Sequence, residues 1–263
     1  QAIAAALRDR PDATFLERGG DSVSFAQLER YSAALLSDPA WPQWQEMGDC
    51  VLIVGPKSLE LALAAMACMR IGKPFCLQSH ELPAEQMADI VALHGSKVAL
   101  LPDDCRHWEP FFHARGCQTV VLPRWDASAA APAPQLAQWL RMGEAASPDD
   151  ALCVVMTSGS EGKPKGSVNT HRALLNLSRE KRALSPAGRL RVASAANHTF
   201  DYFLLDCVEA LTQDVVLVLV PDDVRVDAEK YAAFLAANRI DVAFATTVLA
   251  EELMALGDIP GLS

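Results

Sequence analysis

The chain has no excess of positive charge. Across 263 residues, 23 Lys and Arg stand against 33 Asp and Glu, giving a formal net charge of −10 and a pI near 5.0. That balance argues against nucleic acid or an anionic membrane as the main partner, although a locally basic loop can still hold a small anion. No apolar run approaches the ~18 residues that a membrane-spanning helix needs. The opening residues, QAIAAALRDRPD, lack the basic start of a targeting segment, and the chain does not begin with Met, so it is expected to be part of something longer. The seven cysteines form no C-x-x-C pair. Odd in number, scattered and mostly set in apolar runs such as ALCVVM, they read as reduced core thiols of a cytoplasmic protein. Cys105 and His107 make a lone C-x-H with no second pair at zinc spacing, so no metal site is expected.

With 51% hydrophobic and 21% charged residues, the chain is globular and long enough to bury a real core. Apolar runs alternate with segments of helical period. CVLIVG (50–55), PFCLQ (74–78), KVALL (97–101) and TVVLP (119–123) read as strands. Between them, 58–72 and 83–95 read as helices stopped by Gly72 and Gly95. DASAAAPAPQ (126–135) is the best linker candidate. Beyond it, strands are expected at 151–157, 191–196, 215–220 and 241–246, and helices at 171–184, 200–211, 228–239 and 248–256. Strands apolar throughout, alternating with helices, predict an α/β fold with largely parallel sheets covered on both faces. The chain is expected to form two successive α/β halves, residues 1–130 and 131–263.

The strand ALCVVMT runs directly into SGSEGKPKG. Glycines there let backbone N–H groups turn inward onto an anion, and Lys163 and Lys165 supply positive charge. The Walker pattern does not fit, because Pro164 and Ser167 stand where its second glycine would fall. Pro164 also keeps Lys163 out of helical geometry, so the loop does not run straight into a helix. No dinucleotide G-x-G-x-x-G is present.

The run T-S-G-S-x-G-x-P-K-G, followed shortly by T-H-R, resembles the phosphate-loop signature of the adenylate-forming enzymes. These include adenylation domains of nonribosomal peptide synthetases, acyl- and aryl-CoA synthetases and firefly-type luciferases. The resemblance implies that Thr157, Ser158, Gly159, Ser160, Gly162, Lys163, Lys165 and Gly166 hold the β- and γ-phosphates of ATP, with Mg²⁺. His171, at the end of the motif, would fix the loop. Glu161 departs from the family, which has Thr or Ser there, and a carboxylate beside a triphosphate is repulsive unless a cation intervenes. VSFAQLERYSAALL (23–36) and MRIGKPFCLQ (69–78) resemble earlier family segments, the second with Cys76 in place of a usual Pro.

NHTFDYFLLD (197–206) resembles the F-D-x-S segment of amino-acid-activating adenylation domains, with Phe203 in place of the Ser. The resemblance makes Asp201 the anchor of the substrate's α-ammonium. The same carboxylate could simply cap a helix. Tyr202, Leu205 and Phe244 would line the side-chain pocket, or be ordinary core. His198 has no visible partner and is expected to be structural or at the pocket rim. The reaction implied is activation of an amino acid by ATP to an aminoacyl-adenylate, for loading onto the phosphopantetheine thiol of a carrier-protein domain. The family's main catalytic Lys, its magnesium-binding Glu and the small C-terminal subdomain lie outside the 263 residues. The fragment alone is therefore expected to be a poor catalyst and to self-associate, and the remainder of the adenylation domain is an implied partner. The alternatives are a fragment of an acyl- or aryl-CoA synthetase and a catalytically silent scaffold.

Overall fold

The computed structural model describes residues 2–42, 46–126, 136–158 and 164–257. Helix α1 (Ala2–Asp9) precedes strands β1 (Thr14–Arg18) and β2 (Asp21–Ser24), and α2 (Phe25–Leu36) follows. Then come β3 (Val51–Val54), α3 (Leu59–Ile71), β4 (Phe75–Gln78), α4 (Ala84–His94) and β5 (Val98–Leu101). A 3₁₀ turn leads into α5 (Glu109–His113), β6 (Gln118–Val121) and α6 (Leu136–Glu144). The hairpin of β7 (Ala151–Ser158) and β8 (Pro164–Thr170) is followed by α7 (His171–Ala183), β9 (Leu190–Ser194) and α8 (Asp201–Thr212). The described chain closes with β10 (Val215–Leu219), α9 (Ala228–Ala237), β11 (Val242–Ala243) and α10 (Thr247–Ala255).

The strands form two sheets, ordered β11-β9-β10-β1-β2 and β6-β5-β3-β4-β7-β8. All pairs are parallel except β1–β2 and β7–β8 at the sheet edges. The expected α/β class with largely parallel, helix-covered sheets is therefore observed. Each sheet draws strands from both sides of residue 130. β1 pairs in parallel with β10 (Leu16 opposite Leu217), and β4 pairs with β7 (Phe75 opposite Cys153). Most of the proposed linker, residues 127–135, lies outside the described residues.

Period-two burial explains the apolar strands. On β3, Val51 and Ile53 join the central core, while Leu52 and Val54 pack on the outer face with Met87 and Ile90 of α4. Helices α3 and α8 fill the layer between the sheets, and α9 and α10 cover the outer face of the five-stranded sheet. α3 is buried on nearly every side, as its all-round apolar sequence requires. The Ser58 hydroxyl accepts from Leu61 N–H at its start (3.1 Å), and Gly72 at its end takes the left-handed conformation (φ 72°) that favours glycine. Gly95 closes α4 in the same way (φ 55°).

Some boundaries moved. The strand expected over 241–246 shrinks to Val242–Ala243. β1, β2, α6 and β8 had no sequence forecast. Lys165 and Gly166, expected in a loop, stand on β8.

Candidate functional site

In both sheets the crossover helices switch faces between two neighbouring parallel strands. α3 leaves β3 into the central layer while α4 leaves β4 to the outside, and α8 and α9 do the same after β9 and β10. Loops diverging from the carboxyl ends of such strands leave a crevice where α/β sheets bind ligands. The two crevices meet. Lys57, just past β3, donates to the carbonyls of Ser194 (2.6 Å) and Ala196 (2.9 Å) at the end of β9. Among the described site residues inferred from sequence, Thr157 and Ser158 end β7, Lys165 and Gly166 lie near the start of β8, and Asp201, Tyr202, Leu205 and Phe244 follow the carboxyl ends of β9 and β11.

The glycine-rich segment is the connection of a β-hairpin. Thr157 stands opposite Lys165 and Met156 opposite Gly166, and the Thr157 hydroxyl donates to the Lys165 carbonyl (3.3 Å). Gly159, Ser160, Glu161, Gly162 and Lys163 lie outside the described residues; Ser158 ends β7. Gly166 is required by close packing: a Cβ there would fall 2.8 Å from Val154 Cγ1 and 3.2 Å from His94 Cε1. His94, on α4, places Nε2 3.1 Å from the Met156 sulfur, so α4 braces the hairpin stem. His171 opens α7 beyond the end of β8 remote from Pro164, and the Thr170 side chain caps that helix by accepting from Ala173 N–H.

Asp201 is exposed and is the first residue of α8. The N-cap is Phe200, which makes no side-chain cap bond, so Asp201 does not cap the helix by hydrogen bonding. A turn delivers it: Asn197 Oδ1 accepts from both the backbone N–H and the hydroxyl of Thr199 (3.0 Å each). Burial pushes the Cys153 thiol on β7 up to about 12, with Cys76 and Asp201 adding to it. Tyr202 and Phe244 stack on one another, ring centroids 3.9 Å apart, and the Tyr231 hydroxyl donates to the Phe244 carbonyl (3.0 Å). Leu205, buried, lies one turn along α8 from Asp201. The structure thus places Asp201, Tyr202 and Leu205 at the start of α8, with Phe244 stacked on Tyr202.

Several buried charges here went unrecognised in the sequence. Lys57 is 3% exposed; burial pushes its ammonium down to about 8, against the opposing pull of Asp222 and Asp206. Its Nζ also sits 5.7 Å from the ring of Phe203, the residue standing in place of the family Ser. Phe203 is fully buried, with His198 edge-on to it at 6.5 Å. Burial lowers the proton affinity of His198, so the imidazole is neutral at pH 7. Behind Tyr202, Lys181 of α7 pairs with Asp206 (2.8 Å) and Glu209 (2.7 Å) of α8. Burial alone would lower the Lys181 proton affinity, but the two carboxylates more than reverse it. The signal for Lys57 was a lysine directly behind an apolar strand in G-P-K-S.

Among the described residues, no three His, Cys, Asp or Glu side chains converge to hold a metal ion. The described cysteines are all free and buried, and no described helix is long and apolar enough to cross a membrane.

Residues 3–262 match the model of the AMP-binding enzyme family. The chain is 29% identical over 264 residues to AMB antimetabolite synthetase AmbE of Pseudomonas aeruginosa, covering 97% of this chain and 12% of that protein. It is 22% identical over 255 residues to surfactin synthase subunit 3 of Bacillus subtilis, covering 96% and 19% respectively. It therefore spans less than a fifth of the length of these curated relatives. Its fold is similar to that of o-succinylbenzoate coenzyme A synthetase (MenE) from Bacillus subtilis in complex with AMP. The TM-score is 0.78 at 17% identity, over 100% of this chain and 65% of that one. Fold, motif and family match agree: the chain belongs to the AMP-binding, adenylate-forming enzymes and corresponds to an N-terminal portion of them.

Proposed function

We propose that the protein activates an amino acid with ATP, forming an aminoacyl-adenylate and pyrophosphate, and passes the acyl group to a carrier-protein phosphopantetheine thiol. The observation that carries this reading is the placement of Asp201. It is an exposed carboxylate at the first position of α8, on the segment that follows the carboxyl end of β9, next to the stacked Tyr202–Phe244 pair. A carboxylate there offers a charge-assisted bond to an α-ammonium, and the substrate's own carboxylate is then directed toward the hairpin side. Thr157, Ser158, Gly159, Ser160, Gly162, Lys163, Lys165 and Gly166 would hold the nucleotide phosphates by backbone N–H groups and lysine charge. The stacked Tyr202–Phe244 pair forms a wall and Leu205 a floor for a small or apolar side chain.

The contribution of these residues is positioning and charge neutralisation. Attack of the amino-acid carboxylate on the α-phosphorus forms a P–O bond, and the bond to the β-phosphate oxygen breaks as pyrophosphate leaves. Residues beyond this chain complete the site, among them the remaining nucleotide contacts and the catalytic lysine.

The test is amino-acid-dependent pyrophosphate–ATP exchange by the full-length protein, over a panel of amino acids and of acids lacking the amino group. Exchange with one or a few amino acids supports the proposal. Exchange confined to acids lacking the amino group contradicts it and favours an acyl-CoA synthetase. No exchange, if restored by Glu161→Thr, identifies Glu161 as the block to ATP. No exchange in either protein supports a silent scaffold.

A further inference from the structure

At the end of the molecule opposite this crevice, α1, α3, α6, α7 and α8 enclose a cleft of about 360 Å³ with β7 at its base. That size suits a small organic molecule. Its apolar lining is Ile3, Met69, Leu140, Leu152, Leu175 and Val208. Arg70, His171, Arg172, Arg179 and Glu144 are interspersed with them. Arg172, Leu175, Asn176 and Arg179 fall at helical spacing on one face of α7.

Two nitrogens of residues lining this cleft lack hydrogen-bond partners among the described residues. The Arg70 side chain is 10% exposed and gives Nη2 to Glu29 (3.0 Å), while its Nη1 is buried without a hydrogen-bond partner among the described residues. His171 Nε2 is likewise buried and unpartnered. Buried nitrogens of this kind ordinarily have a partner; Arg70 Nη1 can only donate, and His171 Nε2 donates in one tautomer, so an acceptor meets both. The charge balance sets which acceptor. Arg70 and Arg172 are neutralised by Glu29 and Asp149. Arg179 has no ion pair among the described residues, and Glu144 repels a second negative charge.

We propose that this cleft binds a small organic monocarboxylate, its oxygens accepting from Arg70 Nη1 and from the Nε2–H form of His171 and its apolar tail lying against the apolar lining. A phosphate monoester, with two charges and more oxygens than there are free donors, fits less well. An alcohol of the same length lacks the charge for Arg70 and Arg179. No covalent step is involved. The site is separate from the crevice that carries Asp201.

The test is calorimetric titration of the full-length protein with hexanoate, hexyl phosphate and hexanol. Because the proposed reaction also uses carboxylates, the titration is repeated on Asp201→Ala. Saturable binding of one hexanoate is expected, at least tenfold tighter than hexanol or hexyl phosphate and unchanged in Asp201→Ala. Arg70→Met should weaken it at least tenfold. Asn176→Trp, at an exposed position of α7 facing the cleft, should block it without touching Arg70 if Arg70→Met fails to fold. The proposal is overturned by absence of saturable binding, by equal binding of hexanol or hexyl phosphate, by loss in Asp201→Ala, or by insensitivity to Asn176→Trp.

Discussion

Lys57 links the carboxyl ends of β3 and β9 through two short hydrogen bonds to main-chain carbonyls. Even when neutral, its amine retains the two hydrogens that these bonds need. Its ammonium, ordinarily near 10.5, is pushed down to about 8 by burial, a displacement worth roughly 3 kcal/mol. The sign follows from proton counting: between pH 8 and 10.5 the unfolded lysine keeps its proton and the folded one has lost it. Stability contributed at this position is therefore present above 10.5 and is lost as pH falls through 8. Denaturation of wild type and Lys57→Met should show the wild type gaining relative stability from about pH 8 to 10.5. A difference independent of pH would contradict the buried, shifted lysine. Phe203 explains part of this environment, because the ring that replaces the family Ser packs against both Lys57 and His198.

At the scale of elements, the hairpin of β7 and β8 and the helix pair α7–α8 set the site. Gly166→Ala would drive a methyl group into Val154 and His94. We expect it to cost about 1–3 kcal/mol by overpacking and to weaken nucleotide binding, measured by denaturation and by ATP titration. Unchanged stability would contradict the tight stem. Lys181→Met leaves Asp206 and Glu209, each 1% exposed, without their cation. A loss of about 3–5 kcal/mol in denaturant unfolding is expected, and a loss below 1 kcal/mol would contradict the buried triad. Helices α3, α4 and α7 to α10 were legible in the sequence because helical spacing and, at Gly72 and Gly95, glycine stops are local signals. β8 was not, because PKGSVNT has no alternating apolar pattern and becomes a strand only by pairing with β7. β1 was missed for a related reason: its partner β10 lies some 200 residues away in sequence.

At the scale of the whole molecule, the strand-and-helix alternation gave the α/β class, but not which strands share a sheet. That partition depends on long-range pairings, and each sheet takes strands from both sides of residue 130. The glycine-rich motif that points to the family, and Asp201 as a candidate anchor, stood out because local sequence carries them. Lys57, the Lys181 triad and the remote cleft needed the packed helices and joined sheet ends. Phe200, Val248 and Met254 are 61%, 66% and 80% exposed on the described chain. Apolar side chains so exposed, near the end where β9 and β11 finish, favour association. The 263-residue chain should self-associate with rising concentration in light scattering, and a monomer across a wide range would contradict this. The central claim is that Asp201 holds an α-ammonium in an adenylating site. Its most direct test compares pyrophosphate exchange by wild type and Asp201→Ala in the full-length protein, using the preferred amino acid and its analogue lacking the amino group. The account predicts at least a hundredfold fall in kcat/KM for the amino acid and little change for the analogue. Equal losses for both, or none for either, would contradict it.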